Sequence, residues 1–148
     1  MLQAFLVSLL LALAGCAGGV PEPEAALEPL PQAQTYKFLT VWECCLEACE
    51  REGFVVDRSK RSGDSGEFET ELKTTFRDEV KQTDRARRLR GRVEPAGAPG
   101  SYTVRLAAST FVRPRGEEWS YDGPDPDLRA RFERRLHESL TRRYQGPN

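Results

Sequence analysis

Arginine alternates with small or apolar residues without interruption from residue 88 to residue 93. Because successive side chains of a β-strand point to opposite faces of the sheet, this stretch predicts a strand with one cationic face and one buried face. The same period of two runs through residues 68–76, with Phe76 on the buried side, and through residues 102–108. Such strands are typical of an antiparallel sheet that is covered on one face and solvated on the other.

Two amphipathic helices flank the predicted strands. Residues 36–52 carry apolar side chains at helical spacing, and Gly53 follows where glycine commonly ends a helix. Asp125-Pro126 is a typical helix start. The two apolar stripes are Phe38, Trp42, Cys45 and Cys49, then Leu128, Phe132, Leu136 and Leu140. The sequence therefore predicts an α+β fold of helix, three to five antiparallel strands and helix, with both helices on one face of the sheet.

The N-terminus has the pattern of an export signal. An apolar stretch of roughly a dozen residues starts near Phe5 and is too short for a comfortable membrane span. It runs into Leu13-Ala14-Gly15-Cys16, which resembles the lipobox of bacterial lipoproteins. The resemblance implies that residues 1–15 are a signal peptide and that Cys16 carries lipid of the palmitate type, which would anchor the protein to a membrane of the cell envelope.

Two other interpretations of the N-terminus stay open. Ala12-Leu13-Ala14 also fits ordinary signal cleavage with release of the protein, and residues 2–20 also fit a weak retained anchor. If the lipobox is used, Ala17 stands where many inner-membrane lipoproteins have aspartate. We therefore expect the outer membrane, with the domain facing the periplasm.

The segment after Cys16 is rich in proline, glutamate and alanine. Pro21, Pro23, Pro29 and Pro31 interrupt any apolar period. This composition predicts that residues 16–34 are a lipidated cysteine followed by a disordered tether. At about 3 Å per residue such a tether could hold the domain some 50 Å from the membrane. A single α+β domain would then occupy residues 35–148.

One stretch of the domain resembles a known family. Trp42, Gly53-Phe54-Val55-Val56 and residues 66–72 resemble the small α+β domains of BamC-like envelope lipoproteins. The resemblance covers roughly residues 36–112, and the chain has room for one such domain where that family carries two. It implies an accessory role in envelope or outer-membrane assembly, with an envelope protein as partner.

The sequence carries no recognisable catalytic motif. His137 is the only histidine, without a placed nucleophile to form a triad. Asp122, Asp125 and Asp127 lack the glycine and distal glutamate of an EF-hand loop. The formal net charge of −1 gives no whole-molecule attraction to nucleic acid. We expect a protein that is not an enzyme, with no cofactor, no metal and no nucleic-acid partner.

The remaining cysteines are Cys44, Cys45 and Cys49, in a spacing that matches neither redox nor zinc motifs. Cys45 and Cys49 lie one helical turn apart on the apolar face, so we expect them to be buried. Cys44 points to the helix flank and is the candidate exposed, reactive thiol.

The arginines form two sets. The first set clusters around one strand and comprises Arg85, Arg87, Arg88, Arg90 and Arg92. Its members either pair with glutamates of the neighbouring strand or bind an anionic partner, which would be a phospholipid head group, a glycan or an acidic protein surface. Those glutamates are Glu67, Glu69 and Glu71. The second set is expected to coat the solvated face of the last helix and comprises Arg129, Arg131, Arg134, Arg135, Arg142 and Arg143.

Together these patterns favour a lipid-anchored, non-catalytic envelope protein whose domain binds an envelope partner, with Arg88, Arg90 and Arg92 as the candidate partner-binding residues. The alternative is a ligand-binding or thiol-active lipoprotein that uses the same arginine strand or Cys44.

Overall fold

The computed structural model describes residues 19–31 and 33–144, so the predicted signal peptide and Cys16 lie outside the described residues. The elements in chain order are a 3₁₀ turn at Glu24–Ala26, β1 Glu28–Pro29, α1 Phe38–Arg51, β2 Val56–Ser62, β3 Ser65–Thr70, β4 Lys73–Asp78, β5 Thr83–Pro95, β6 Tyr102–Pro114, β7 Ser120–Pro124 and α2 Pro126–Tyr144. No helix in this part of the chain is both long and apolar enough to cross a bilayer.

The seven strands form one antiparallel sheet around the long hairpin of β5 and β6. Strands β3 and β4 share the other edge of β5, and β2 extends the sheet beyond β3. Strands β1 and β7 share the outer edge of β6. The α+β prediction is confirmed, but the expected three to five strands were too few. A further strand, β1, precedes the first helix.

One predicted strand is in fact two strands. Strand β3 pairs with residues 90–93 of β5, whereas β4 pairs with residues 83–87. In the gap between them, the Thr70 hydroxyl accepts a hydrogen bond from the Leu89 amide at 3.0 Å. Residues 73–77 of β4 are exposed on both faces of the sheet, and Phe76 is 56% exposed, so its predicted burial is wrong.

Local capping explains where α1 ends and where α2 begins. Gly53 adopts a positive φ of 78° after α1. Its amide donates to the Glu50 carbonyl and the Phe54 amide donates to the Cys49 carbonyl, the hydrogen bonds of a Schellman motif. At the start of α2, the Asp125 carboxylate accepts from the Leu128 amide at 3.0 Å. Both predicted helix boundaries are confirmed.

The core lies between the helices and one face of the sheet, which we call the helix face. Phe68 of β3 contacts Trp42 of α1 and Phe132 of α2, with ring centroids 6.1 and 6.3 Å apart. Both helices therefore reach the same side of the sheet. Opposite Phe68, a Cβ atom on Gly91 would lie 2.2 Å from the phenyl ring. Only glycine leaves room for this ring.

The segment predicted to be a disordered tether is packed on the domain over residues 19–31, which we call the strap. Strand β1 pairs with Leu106 and Arg105 at the edge of β6. Leu27 and Leu30 are buried, and the Leu30 amide donates to the Val104 carbonyl at 2.8 Å. The prediction is therefore wrong for the strap, because the open edge of β6 satisfies part of its backbone and Leu30 packs in the hydrophobic core.

Candidate functional site

Arg88, Arg90 and Arg92 come together on the face of the sheet opposite the helices, which we call the charged face. The alternating residues of β5, Leu89 and Val93, are fully buried in the core on the helix face. Since successive side chains of a strand alternate, the three arginines form a row on the charged face. This placement agrees with the sequence pattern.

The strap supplies most of the anions that the arginine row contacts. Glu22 accepts from the Arg90 Nε at 2.6 Å and also pairs with Arg88. Glu24 pairs with Arg90 at 3.2 Å and with Arg92 at 3.0 Å, and hydrogen bonding from Arg90 lowers the pKa of Glu24. The row is thus neutralised largely by acids of its own chain that lie more than 60 residues earlier in the sequence.

Burial separates Arg88 from the other two arginines. The side chains of Arg88 and Glu22 are only 4% and 2% exposed. The Arg88 guanidinium also donates to the Val20 carbonyl at 3.0 Å and lies 4.6 Å from the centroid of the Phe111 ring. With the strap in place, Arg88 is out of reach of a partner. Its predicted role in partner binding requires the strap to move.

The fit beneath the strap is incomplete. Arg88 Nε, Glu22 Oε1 and Ser109 Oγ are buried without a hydrogen-bond partner in the described structure. Unpaired buried polar atoms are costly. The strap therefore adheres through a few strong contacts and leaves other groups unsatisfied.

Cross-strand ion pairs account for only part of the arginine row. Arg92 donates to Glu67 at 2.9 Å, and Arg88 lies 3.7 Å from Glu69. No ion pair joins Glu71 to the row in the described structure, although the sequence alternation placed it with the other two glutamates. The sequence feature that indicates the other partners is the spacing of Glu22 and Glu24. Two residues apart in an extended chain, they can lie opposite two arginines that are also two residues apart in a strand.

A cleft of about 330 Å³ stays open on the charged face beside the strap. Its polar lining comes from β2, β3 and β5 and includes Arg58, Lys60, Glu67, Glu69, Arg90 and Arg92, with Leu27 of the strap at one side. The cleft is the part of the charged face where an outside group can meet Arg90 and Arg92.

The second set of arginines joins the two helices instead of only coating a solvated face. Arg131 and Arg135 of α2 hold the Glu52 carboxylate at 2.9 and 3.1 Å. Although burial opposes the effect, these hydrogen bonds lower the pKa of Glu52. Arg142 pairs with Glu47 of α1 at 3.4 Å. Further pairs in this seam join Arg143 to Glu43 and Arg51 to Glu138.

Arg129 has a different function from its neighbours on α2. Its guanidinium donates to the carbonyls of Leu106, Glu28 and Pro29 at 2.7, 3.2 and 2.9 Å. It therefore ties β1, at the end of the strap, to the sheet and to α2. Arg134, by contrast, is exposed.

All three cysteines of the domain are buried with free thiols. The burial predicted for Cys45 and Cys49 is confirmed, whereas Cys44, expected to be exposed, is 0% exposed. Cys44 shares a helix face with Val41 and Ala48, and this face is covered as well as the one toward the sheet. Burial raises the pKa of Cys44 and raises that of Cys49 to about 12. Neither property favours a reactive thiol.

His137 lies exposed on α2. Among the described residues, no group of three or more histidine, cysteine, aspartate or glutamate side chains is arranged to hold a metal ion. Two of the three aspartates near the start of α2 are bound within the domain: Asp125 caps α2 and pairs with Arg87 at 2.7 Å, and Asp122 pairs with Arg85 at 3.3 Å.

A scan against protein-family models gave no match, and no curated protein matched the sequence.

Proposed function

We propose that this protein is a lipid-anchored, non-catalytic protein of the cell envelope, attached through Cys16 to the outer membrane and facing the periplasm. Its α+β domain binds an envelope protein at the charged face. The BamC-like resemblance supports a role in envelope or outer-membrane assembly.

The docked strap is the observation that carries this proposal. Gly19 and Val20 already lie against the sheet, where Val20 accepts a hydrogen bond from Arg88. Only two residues, Ala17 and Gly18, separate Gly19 from Cys16. A lipid on Cys16 would therefore hold the domain at the membrane surface, with a defined side toward the bilayer.

The partner site in this proposal is the exposed part of the arginine row together with the neighbouring cleft. Arg90 and Arg92 line this cleft with basic residues of β2. A ligand-binding protein is the second candidate, because a cleft of about 330 Å³ has the size of a small-molecule site. The burial of Cys44 removes the support for a thiol-active protein.

The lipid anchor is tested by Cys16→Ser in the bacterial host. We expect the variant to lose labelling by radioactive or alkyne-tagged fatty acid and to leave the membrane fraction, because the serine hydroxyl cannot replace the thiol that accepts the lipid. Ala17→Ser changes the adjacent residue, keeps the thiol and should label normally. Continued labelling and membrane retention of Cys16→Ser would show that the anchor proposal is wrong.

The partner site is tested by site-specific photo-crosslinking in intact cells. A photoreactive residue in place of Glu67, in the cleft, should trap an envelope protein, whereas one in place of Arg134 on α2 should not. A shift in electrophoretic mobility followed by mass spectrometry detects the adduct. Equal adducts from both positions, or adducts from position 134 only, would place the partner site elsewhere.

A further inference from the structure

The basic residues of β2 differ from the arginine row because their charges are neutralised only in part. Arg58, Lys60 and Arg61 are all exposed on this edge strand. Arg58 has one ion pair, a 3.7 Å contact with the adjacent Asp57. Lys60 and Arg61 have no ion pair within the described parts of the chain. Strand β2 therefore presents an excess of positive charge to its surroundings.

Competition for the same carboxylates explains this excess. In the β2–β3 ladder, Arg58 is opposite Glu69 and Lys60 is opposite Glu67. Those two glutamates face β5 as well, where Glu69 contacts Arg88 and Glu67 contacts Arg92. The arginine row takes up the acids of both β3 and the strap, so that β2 has none left across the strand.

Gly19, the first described residue, lies at the same place. A Cβ atom on Gly19 would lie 3.5 Å from Glu69 Oε1 and 3.7 Å from both terminal nitrogens of Arg58. From Gly19, three residues lead back to Cys16. Even a fully extended chain spans at most about 3.6 Å per residue, so Cys16 lies within roughly 11 Å of this point.

We propose that the basic edge formed by Arg58, Lys60 and Arg61 lies on the anionic head groups of the membrane that holds the lipid of Cys16. The inference rests on the proposed lipid anchor. A short connection to the bilayer brings Arg58 near Gly19, and with it the basic edge of β2, against the head groups. Arginine and lysine bind lipid phosphates through charge-assisted hydrogen bonds. The sheet then stands with β2 toward the membrane and the cleft open along its side.

The lysines of the domain supply the reporter and its internal controls. Lys60 belongs to the basic edge, whereas Lys37 and Lys81 are exposed elsewhere. The lipid-anchored protein is reconstituted into vesicles of phosphatidylcholine alone or of phosphatidylcholine with phosphatidylglycerol. A water-soluble amine reagent is added, and mass spectrometry gives the modification rate at each lysine.

We expect Lys60 to react several-fold more slowly on the anionic vesicles, while Lys37 and Lys81 keep the same rate on both. One basic residue near an anionic surface favours the bound state roughly fivefold, so three favour it on the order of 100-fold. Molar salt, with a screening length of about 3 Å, should abolish the difference. Equal rates at Lys60 on both vesicles, or equal slowing at all three lysines, would overturn the proposal.

A double variant tests the edge without removing the reporter. Arg58→Gln with Arg61→Gln should restore fast reaction of Lys60 on anionic vesicles. The control, Arg77→Gln with Arg134→Gln, removes the same charge from other exposed positions and should keep Lys60 protected. Protection that survives the first variant, or is lost in the second, contradicts the proposal. A chain that acquires no lipid would contradict the proposed anchor. A lipidated chain in which Lys60 is not protected would contradict only the membrane contact of the basic edge.

Discussion

The two faces of the sheet are covered in different ways. On the helix face, α1 and α2 bury aromatic and aliphatic side chains in one continuous core. On the charged face, the first half of the strap lies over an arginine row and is held by ion pairs and by hydrogen bonds from arginine to strap carbonyls, whereas Leu30 at its far end packs in the core. Apolar burial is insensitive to protonation and to moderate salt, whereas ion pairs respond to both. One cover is therefore part of the cooperative fold, and the other can respond to solution conditions.

We expect the largest loss of stability on the helix face from Phe132→Ala. Phe132 is fully buried against Phe68, so the variant leaves a cavity and should lose about 3–5 kcal/mol of the free energy of unfolding. Urea denaturation followed by tryptophan fluorescence measures this loss. The control, His137→Ala, alters an exposed residue of the same helix and should change stability by less than about 0.5 kcal/mol. A loss near that of the control would show that α2 does not close the core.

The corresponding change on the charged face is Glu22→Gln. It removes the carboxylate charge that Arg88 and Arg90 share, and should cost about 1–3 kcal/mol. We expect the strap to open locally, with faster hydrogen exchange at the Leu27 amide, which donates to the Glu24 carbonyl, and little change at core amides of β5.

The matched control for this change is Glu28→Gln, since Glu28 is an exposed residue of the strap and only its backbone carbonyl accepts from Arg129. Hydrogen exchange at the strap amides of the Glu28→Gln variant should be the same as in the unaltered protein. If Glu22→Gln accelerates hydrogen exchange throughout the domain, the strap belongs to the same cooperative unit as the helices, and the covers of the two faces do not differ in this respect.

Acid should affect both faces by a smaller amount. Hydrogen bonding from Arg90 lowers the pKa of Glu24, and Arg131 and Arg135 lower that of Glu52 against the effect of burial. A carboxyl with a lowered pKa in the folded state stabilises the protein above its ordinary value of 4.5, and this contribution is lost as the pH falls further. Urea midpoints should therefore decline below about pH 4.5. Glu52→Gln should make that decline shallower, and an unchanged slope would contradict the assignment.

The sequence could predict those elements whose pattern is local. The period of two, the helical stripes, Gly53 and Asp125 all act within a few residues, and the structure has the corresponding strands, helices and caps. Register is not local. Alternation alone could not show that β3 and β4 pair with different parts of β5, nor that both faces of β4, and Phe76 with them, stay uncovered.

The candidate site was predictable in part for the same reason. The arginine row followed from alternation, but its main anions lie on the strap, whose composition resembles a tether until an open strand edge is supplied. The exposure predicted for Cys44 was wrong because a single apolar stripe indicates one covered face of a helix, whereas α1 is covered on two sides.

The antiparallel pairing of the strap with β6 also has a consequence for the order of assembly. The β5–β6 hairpin joins residues close together in the chain, through a short connection after Pro95. Strand β1 instead meets Leu106 across more than 70 intervening residues. Closing so large a loop is slow and contributes little until the hairpin exists. During synthesis, we therefore expect the first described segment to emerge to be the last to find its place, so that a lipid at the proposed anchor would be in the membrane before the domain is complete.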